Sequence, residues 1–244
     1  MTRAETVQLL VTCLIDTFFP HVGEAVVNVL TRAGVNVEFP SDQTCCGQPA
    51  FNAGLWREAR PLAAHTIRVF ESARGPVVIP SGSCTAMIRH GYRELFADDP
   101  PWLRRAESLA ARTYEFSEYL VDILDVTDVG ARWQGKLAYH PSCHLLRGLG
   151  VERQPLALLA AVEDAEVVAL PHAEECCGFG GVFSLAHPEI SAEILERKIA
   201  NLQASAAPTL VVCDTGCLMH IGGGLHRQRQ MQHIYHIAEV LSKT

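Results

Sequence analysis

The stretch Gln43-Thr-Cys-Cys-Gly-Gln-Pro-Ala50 contains an adjacent cysteine pair and a glycine, and this Cys-Cys-Gly sequence recurs in Cys176-Cys-Gly-Phe-Gly-Gly181. The two pairs are 131 positions apart (176 − 45). Single cysteines flank each pair at closely matching offsets, which gives two four-cysteine sets: Cys13, Cys45, Cys46 and Cys84, then Cys143, Cys176, Cys177 and Cys217. Only one of the nine cysteines lies outside this register, so the chain contains an internal duplication centred on thiols.

Composition limits the class of protein. A chain of 244 residues with 48% hydrophobic content can bury one large core or two small ones, and the duplication favours two. The net charge of −7 and the scattered basic residues predict no nucleic-acid partner. The apolar run Gln8–Ile15 is too short to span a membrane and does not resemble a signal peptide, so we expect no transmembrane segment and a cytoplasmic location. In a reducing compartment, many cysteines indicate metal or redox chemistry more often than disulfides.

Both halves alternate predicted strands and helices in the same order. The first half has predicted strands at Gln8–Thr12, Val35–Phe39 and Pro76–Ile79, and predicted helices at Val22–Arg32 and Leu55–Ser72. The second half has predicted strands at Lys136–Tyr139, Glu166–Leu170 and Thr209–Val212, and predicted helices at Pro155–Ala161 and Pro188–Ala204. This alternation predicts an α/β fold of two pseudo-symmetric repeated halves, each a small parallel sheet with flanking helices.

The repeat continues to the end of each half. Tyr114–Leu120 aligns with Tyr235–Leu241, and we expect both segments to be closing helices. We therefore place the domain boundary after the first of these segments, which divides the chain into two cysteine-rich domains, residues 1–130 and 131–244. The first half also carries extra residues around Trp102, which we interpret as an insertion or a lid.

The predicted strands place the cysteines together. Ligands of open parallel sheets gather beyond the carboxyl ends of the strands, and the single cysteines all follow predicted strands, so each set should converge. Cys84 and Cys217 lie where a helix should begin, and the positive end of a helix stabilises a thiolate or an anionic cluster. Gly47 and Gly178 permit the tight turn through which adjacent cysteines can serve one site.

Four thiolates suit an iron–sulfur cluster or a structural zinc ion, and their spacing separates the two. Structural zinc sites commonly use close C-x2-C pairs, whereas these cysteines are tens of residues apart and include a contiguous pair. In a cluster of several irons, adjacent cysteines can bind different metal atoms. The spacing therefore favours an iron–sulfur cluster at each set over zinc.

Six runs of sequence surround the duplicated cysteines: Val11-Thr-Cys-Leu-Ile-Asp16, Gln43–Ala50, Pro80-Ser-Gly-Ser-Cys84, His140-Pro-Ser-Cys-His-Leu-Leu-Arg-Gly148, Cys176–Gly181 and Gly216-Cys-Leu-Met-His220. Across essentially the whole chain these runs resemble the cysteine-rich CCG-domain family, which includes the cysteine-rich subunit of heterodisulfide reductase and the iron–sulfur subunit of glycolate oxidase. The resemblance implies that the eight cysteines bind [4Fe-4S] clusters in an electron-transferring subunit of an oxidoreductase complex that converts L-lactate to pyruvate. It also implies a ferredoxin-like iron–sulfur partner, a third subunit and a small 2-hydroxy acid as candidate ligand.

The chain departs from the heterodisulfide reductase pattern at two positions. Those relatives carry a further cysteine three residues before the last one of each set, where this chain has Ser81 and Asp214. We therefore expect four thiolates per site, with Ser81 and Asp214 as supporting or substrate-contacting groups, and the alternative is a cluster that also uses an oxygen ligand. The ninth cysteine, Cys213, is interpreted as a small buried residue at a strand end, and the alternative is a spare ligand or redox thiol.

Histidines cluster around the second set, whereas His21 near Cys13 has no such company. For His140, His172 and His220 a packed or hydrogen-bonded role is the favoured interpretation, although His220 stays a candidate contact of the site. His144 follows Cys143 directly. With Arg147 it forms a candidate polar cluster that can donate hydrogen bonds to cluster sulfides or bind a carboxylate. No residue stands out as catalytic.

Two other functions stay open at this point. One is a metal-free thiol–disulfide oxidoreductase, similar to heterodisulfide reductase, that uses the adjacent pairs Cys45-Cys46 and Cys176-Cys177. The other is an interaction module stabilised by zinc. No Rossmann glycine fingerprint or phosphate loop follows a strand, so we predict no nucleotide site and no NAD-dependent activity.

Overall fold

The computed structural model describes residues 5–244, which form two four-stranded sheets flanked by helices. The first half contains strands β1 (Thr6–Leu9), β2 (Asn36–Glu38), β3 (Val77–Ile79) and β4 (Thr113–Glu115). Its helices are α1 (Cys13–Phe18), α2 (Pro20–Arg32), α3 (Gln48–Asn52), α4 (Trp56–Glu71), α5 (Gly82–Ala86), α6 (Tyr92–Leu95), α7 (Pro100–Ala110) and α8 (Phe116–Glu118), with π-helical turns at Met87–Gly91 and Tyr119–Ile123.

The second half repeats this plan. Its strands are β5 (Arg132–His140), β6 (Glu163–Val168), β7 (Thr209–Val212) and β8 (His233–His236). Its helices are α9 (Arg153–Ala160), α10 (Phe183–Ala186), α11 (Pro188–Ala204), α12 (Thr215–Arg227) and α13 (Ile237–Ser242), with a π-helical turn at His144–Leu149. The observed bounds of α11 and β7 equal the predicted ones.

Both sheets are parallel and have the same topology. The strand orders are β2-β1-β3-β4 and β6-β5-β7-β8, and every pairing is parallel. The predicted α/β fold of two repeated halves is therefore confirmed. The first sheet ends at Glu115 and the second begins at Arg132, and the division into domains 1–130 and 131–244 stays a prediction.

Of the central strands, β3 and β7 are short apolar runs. All residues of β3 and β7 are buried, as expected for strands in the interior of a parallel sheet. One hydrophobic core contains residues from both halves, including Val26 of α2, Leu137 of β5 and Leu241 of α13. The two halves therefore share a core. At their contact a Cβ on Gly82 would lie 2.7 Å from the Leu145 side chain, so glycine permits this close approach.

The closing segments differ from the prediction of plain helices. Tyr114 and Tyr235 lie in strands β4 and β8, opposite Val78 and Val211, and the helices begin only afterwards. The prediction was wrong because a strand of three or four residues has too little periodicity to be distinguished from the first turn of a helix. In each copy a capping box then starts the helix.

The extra residues of the first half form α7, and the interpretation of this segment as a lid is wrong. Trp102 stacks on Phe96 at a ring distance of 5.4 Å, and Ala106 and Leu109 are buried in the core of the first half with Phe70. The apolar face of α7 is thus already covered by its own domain. Among residues 5–244, no helix is both long enough and apolar enough to cross a bilayer.

Candidate metal centre

One cavity of ≈ 140 Å³ collects the thiols of both repeats. Its wall contains all eight duplicated cysteines: Cys13, Cys45, Cys46, Cys84, Cys143, Cys176, Cys177 and Cys217. The predicted convergence of each set follows from the carboxyl ends of β1, β3, β5 and β7, which deliver the single cysteines. The packing of the two halves also brings both sets to the same cavity.

In the first set, helix starts orient the single cysteines. Cys13 is the first residue of α1, and Cys84 is the third residue of α5, whose N-cap Ser81 accepts the Cys84 amide N–H at 3.4 Å. The Cys13 and Cys45 sulfurs are 3.7 Å apart, and the Cys46 and Cys84 sulfurs are 3.3 Å apart. Thiols from separate segments therefore meet in two close pairs.

The second set repeats this arrangement. Cys217 is the third residue of α12, and its sulfur is 3.2 Å from the Cys177 sulfur. The Gly178 amide donates to the Cys176 sulfur at 3.3 Å. Gly178 has φ +92°, and a Cβ there would lie 2.6 Å from the carbonyl oxygen of Ser191. Glycine is required both by this backbone conformation and by the close approach of α11.

The crowded thiols change the acidity of one another. The pKa of Cys45 lies far below the usual range, first because the Cys13 thiol donates a hydrogen bond to its sulfur, and next because Cys46 does. The pKa of Cys176 is lowered in the same way, first by Cys143 and then by Cys177. Each set therefore holds a thiolate at neutral pH, which is the form that binds soft metals.

The partner thiols shift in the opposite direction. Hydrogen bonding to the neighbouring thiolate, followed by burial, raises the pKa of Cys13 and of Cys143 well above the usual range. In the second set, the pKa of Cys217 is lowered to about 6, first by a hydrogen bond from Cys177 and also by His140. This donor set, rich in thiols and with Cys13, Cys84 and Cys217 at helix starts, fits the iron–sulfur clusters that the family resemblance implies.

Ser81 and Asp214 are bonded to each other across the two halves. Ser81 Oγ donates to Asp214 Oδ2 at 3.0 Å, and the Ser83 amide donates to the same oxygen at 2.9 Å. Asp214 Oδ1 accepts the Gly216 amide at 2.9 Å, so the carboxylate caps its own helix and joins it to α5. Both side chains contribute to the cavity wall.

The other candidate residues separate into those in the cavity and those outside it. His144 lines the cavity, with Nδ1 3.7 Å from the Cys143 sulfur. Arg147 does not line it and donates to the Glu174 carbonyl at 3.0 Å. His220 also lies outside the lining, with Nε2 3.3 Å from Ser191 Oγ, and burial lowers its pKa. The polar cluster of His144 and Arg147 stays a prediction, with only His144 in the cavity wall.

Cys213 lies in the shared core, outside the lining of the cavity. It is fully buried at the end of β7, with its sulfur 3.6 Å from Tyr139 Oη. Burial, as the largest cause, raises the pKa of this thiol well above the usual range. All nine cysteines are free thiols.

His140 is the residue whose place at the site was not predicted from the sequence. It ends β5, is 1% exposed, and has Nδ1 3.1 Å from the Ala173 carbonyl oxygen. Its ring offers a ligand atom that lies within 4.8 Å of the Cys177 and Cys217 sulfurs. The repeat itself carried a signal for this residue. His140 aligns with Leu10 of the first half (140 − 130), so the second half has a histidine where the first has an aliphatic residue.

The fold and the duplicated thiol site define a protein made of two copies of one cysteine-rich domain. The CCG cysteine-rich domain matches residues 7–89 and again residues 137–222, so the chain belongs to this family. The chain is similar to lactate utilization protein A of Exiguobacterium sp., with 47% identity covering 97% of each chain. It is also 49% identical to lactate utilization protein A of Bacillus pumilus, covering 97% of this chain and 98% of that protein.

A solved structure of a putative Asp/Glu racemase from Yersinia pestis overlaps 98% of this chain and 96% of its own. Its sequence identity is 12% and its TM-score is 0.38, values too low to indicate a shared fold or function.

Proposed function

We propose that this chain is the iron–sulfur subunit of a complex that oxidises L-lactate to pyruvate, in which it transfers electrons. The main support is the cavity, in which the eight cysteines of two repeats are gathered, with Cys13, Cys84 and Cys217 at helix starts. The substrate class rests on the similar proteins, whose printed name is lactate utilization protein A.

The burial of the thiols suits a relay of electrons. In each set two cysteines are buried and two are half-buried: Cys46, Cys84, Cys177 and Cys217 are buried, and Cys13, Cys45, Cys143 and Cys176 are half-buried. A cluster held in this way has one side in the protein interior and one side towards the cavity. Electrons can then reach it from a molecule in the cavity while the inner side is protected from solvent.

The proposed clusters are of the [4Fe-4S] type, one bound by the thiolates of each set. When bound, such a cluster supplies one-electron transfer, and the chain supplies the thiolates and the positive helix ends that stabilise its negative charge. The proposed partners are a ferredoxin-like iron–sulfur subunit and a third subunit, in the cytoplasm. A small 2-hydroxy acid is the proposed ligand of the cavity.

Metal analysis of cysteine variants tests the cofactor. Protein purified or reconstituted without oxygen should be brown and contain iron and acid-labile sulfide. Cys45→Ser and Cys176→Ser should each remove about half of both, and the double variant should remove nearly all. Cys213→Ala, which changes a thiol outside the cavity, is the matched control and should retain both. A colourless protein that holds only zinc would refute the proposal.

Electron transfer from lactate tests the reaction. Lactate should reduce a dye in the presence of the reconstituted chain and its two partner subunits, and the rate should fall to background with Cys45→Ser. Glycolate and other 2-hydroxy acids should give slower reduction. Equal rates with and without this chain would remove it from the electron path.

A thiol–disulfide function is the second candidate, and it is favoured by the close sulfur pairs Cys46–Cys84 and Cys177–Cys217, at 3.3 and 3.2 Å. These pairs join different segments, whereas the sequence suggested the adjacent pairs Cys45-Cys46 and Cys176-Cys177. Thiol titration of metal-free protein separates the two functions. Reversible loss of two thiols per half, with no iron or sulfide in the protein as purified without oxygen, would favour the disulfide function.

A further inference from the structure

The two halves differ at the position three residues before their first cysteine. In the first half this position is Leu10, which is 1% exposed and packs in one apolar cluster with Cys46 and Cys84. In the second half it is His140, which is equally buried and lies beside the corresponding pair, Cys177 and Cys217. A polar ring thus replaces an aliphatic side chain at the same place in an otherwise repeated site.

The hydrogen bonds of His140 determine where its lone pair points. Its Nδ1 is 3.1 Å from the Ala173 carbonyl oxygen, which can only accept, so Nδ1 carries a proton. In the neutral ring Nε2 then has a free lone pair. This Nε2 atom is buried and makes no hydrogen bond of normal geometry with the described residues. Burying an unpaired acceptor costs free energy, which indicates that another group completes the site.

A metal atom fits this position. The ligand atoms of His140, Cys177 and Cys217 lie within 4.8 Å of one another, close enough to serve one metal centre. A metal-binding histidine usually donates its other ring N–H to a carbonyl or carboxylate, as His140 does to Ala173. We propose that His140 binds a metal of the second centre through Nε2 in place of one of the four thiolates, so that this centre has nitrogen and sulfur ligands while the first has sulfur alone.

A buried amine reinforces the difference between the halves. Lys198 on α11 is fully buried, and its Nζ donates to the His172 and Ala173 carbonyls at 2.9 and 3.1 Å. The Ala173 carbonyl therefore accepts from both His140 and Lys198. The buried residues of α4 and α11 correspond at an offset of 132, which places Thr66 opposite Lys198 in the repeat (198 − 132). The first half thus has a neutral residue where the second half has a cation.

The inference rests on the proposed function only in taking the metal to be iron of a cluster. Replacing thiolate by imidazole ligation, and placing a positive charge nearby, both favour the reduced state. The second centre should therefore have the higher reduction potential. Electrons that enter the chain then collect beside Cys177 and Cys217.

Nitrogen labelling of the unaltered protein tests the ligand directly. Full-length chain, reconstituted with iron and sulfide without oxygen and carrying 15N-histidine, is reduced and measured by pulsed EPR. A strongly coupled histidine nitrogen is expected at one of two centres. Iron and sulfide at both sets without such a nitrogen would overturn the inference and leave the proposed function intact. Absence of iron and sulfide from both sets would overturn the proposed function instead.

Exchange of residues between the halves identifies the ligand. His140→Leu, which introduces the first half's own residue, should abolish the nitrogen coupling and lower the potential of one centre towards that of the other. Lys198→Met should lower the same potential and keep the coupling. His144→Leu, which changes the histidine beside Cys143, is the matched control. Coupling that persists in His140→Leu, or disappears in His144→Leu, would refute the assignment.

Discussion

Ser81 Oγ donates a 3.0 Å hydrogen bond to Asp214 Oδ2, although the two residues are 133 positions apart and occupy the same place in the repeat (214 − 81). Each is the N-cap of the helix that carries the last cysteine of its set. The bond therefore joins the starts of α5 and α12 between the two thiol sets. This chain thus uses these two equivalent positions to connect its two halves.

Removing this bond should destabilise the chain. Asp214→Ala should lower the free energy of unfolding by about 2–3 kcal/mol, because it deletes a helix cap and the carboxylate that accepts from the Ser81 hydroxyl and the Ser83 amide. Ser81→Ala should cost about 1 kcal/mol, and the double variant less than the sum of both. Urea denaturation measures all three values. Asp99→Ala, which removes the N-cap of α7 within one half, is the control, with a loss of about 1 kcal/mol. Additive losses at Ser81 and Asp214 would contradict a coupled pair.

Gly178→Ala should damage the second set. The new Cβ would lie 2.6 Å from the Ser191 carbonyl at a positive φ, so the cysteine turn must move away from α11. We expect a loss of about 2–4 kcal/mol in unfolding free energy and lower iron content at the second set alone. The matched control is Gly130→Ala, which also has a positive φ but no heavy atom within 4 Å of its Cβ. It should cost about 1 kcal/mol and leave the iron content unchanged, and similar effects of the two variants would contradict the steric explanation.

Glu115 and His236 are buried helix N-caps at the same place in the repeat, and they should make the free energy of unfolding depend on pH in opposite directions. Burial, the main cause, lowers the pKa of His236 from 6.5 to about 4 and raises that of Glu115 from 4.5 to about 7. Between pH 4 and 6.5 the unfolded state binds more protons at His236, so its contribution to stability falls on acidification. Between pH 4.5 and 7 the folded state binds more protons at Glu115, so that contribution falls as the pH rises.

Variants separate these two contributions. The Glu115→Gln variant retains the His236 contribution. Between pH 6.5 and pH 4 its free energy of unfolding should decrease by up to about 3 kcal/mol more than that of the double variant Glu115→Gln/His236→Asn. In His236→Asn the Glu115 contribution stays, and stability should decrease as the pH rises from 4.5 to 7. Urea denaturation across this pH range gives both slopes. Parallel profiles for the two single variants would refute the assignment.

Alkylation should distinguish the thiols before and after metal loading. In metal-free reduced protein, Cys45 and Cys176 should react first with iodoacetamide near pH 7, because they are half-buried and their lowered pKa keeps them as thiolates. Cluster loading should protect both. Cys213, buried in the core, is the internal control and should stay unmodified in both states. Peptide mass spectrometry measures the extent of modification at each site, and unchanged reactivity of Cys45 and Cys176 after loading would argue against their role as ligands.

Local patterns predicted much of the fold. The bounds of α11 and β7 were predicted correctly because a long amphipathic run and a short apolar run each carry a clear signal. The strands β4 and β8 were missed because their residues gain strand geometry only by pairing with β3 and β7. The helix α7 was interpreted as a lid because the sequence does not show which surface its apolar face meets.

The duplication, the two sets of four cysteines and the parallel α/β halves can all be predicted from the amino-acid sequence, because repeat spacing and hydrophobic periodicity are properties of the chain. The three-dimensional packing was needed to show that both sets face one cavity, that Ser81 bonds to Asp214 and that the lone pair of His140 is buried beside Cys177 and Cys217. These relationships join residues that are distant in sequence, and they exist because the two halves pack on a shared core that fixes where each strand end points.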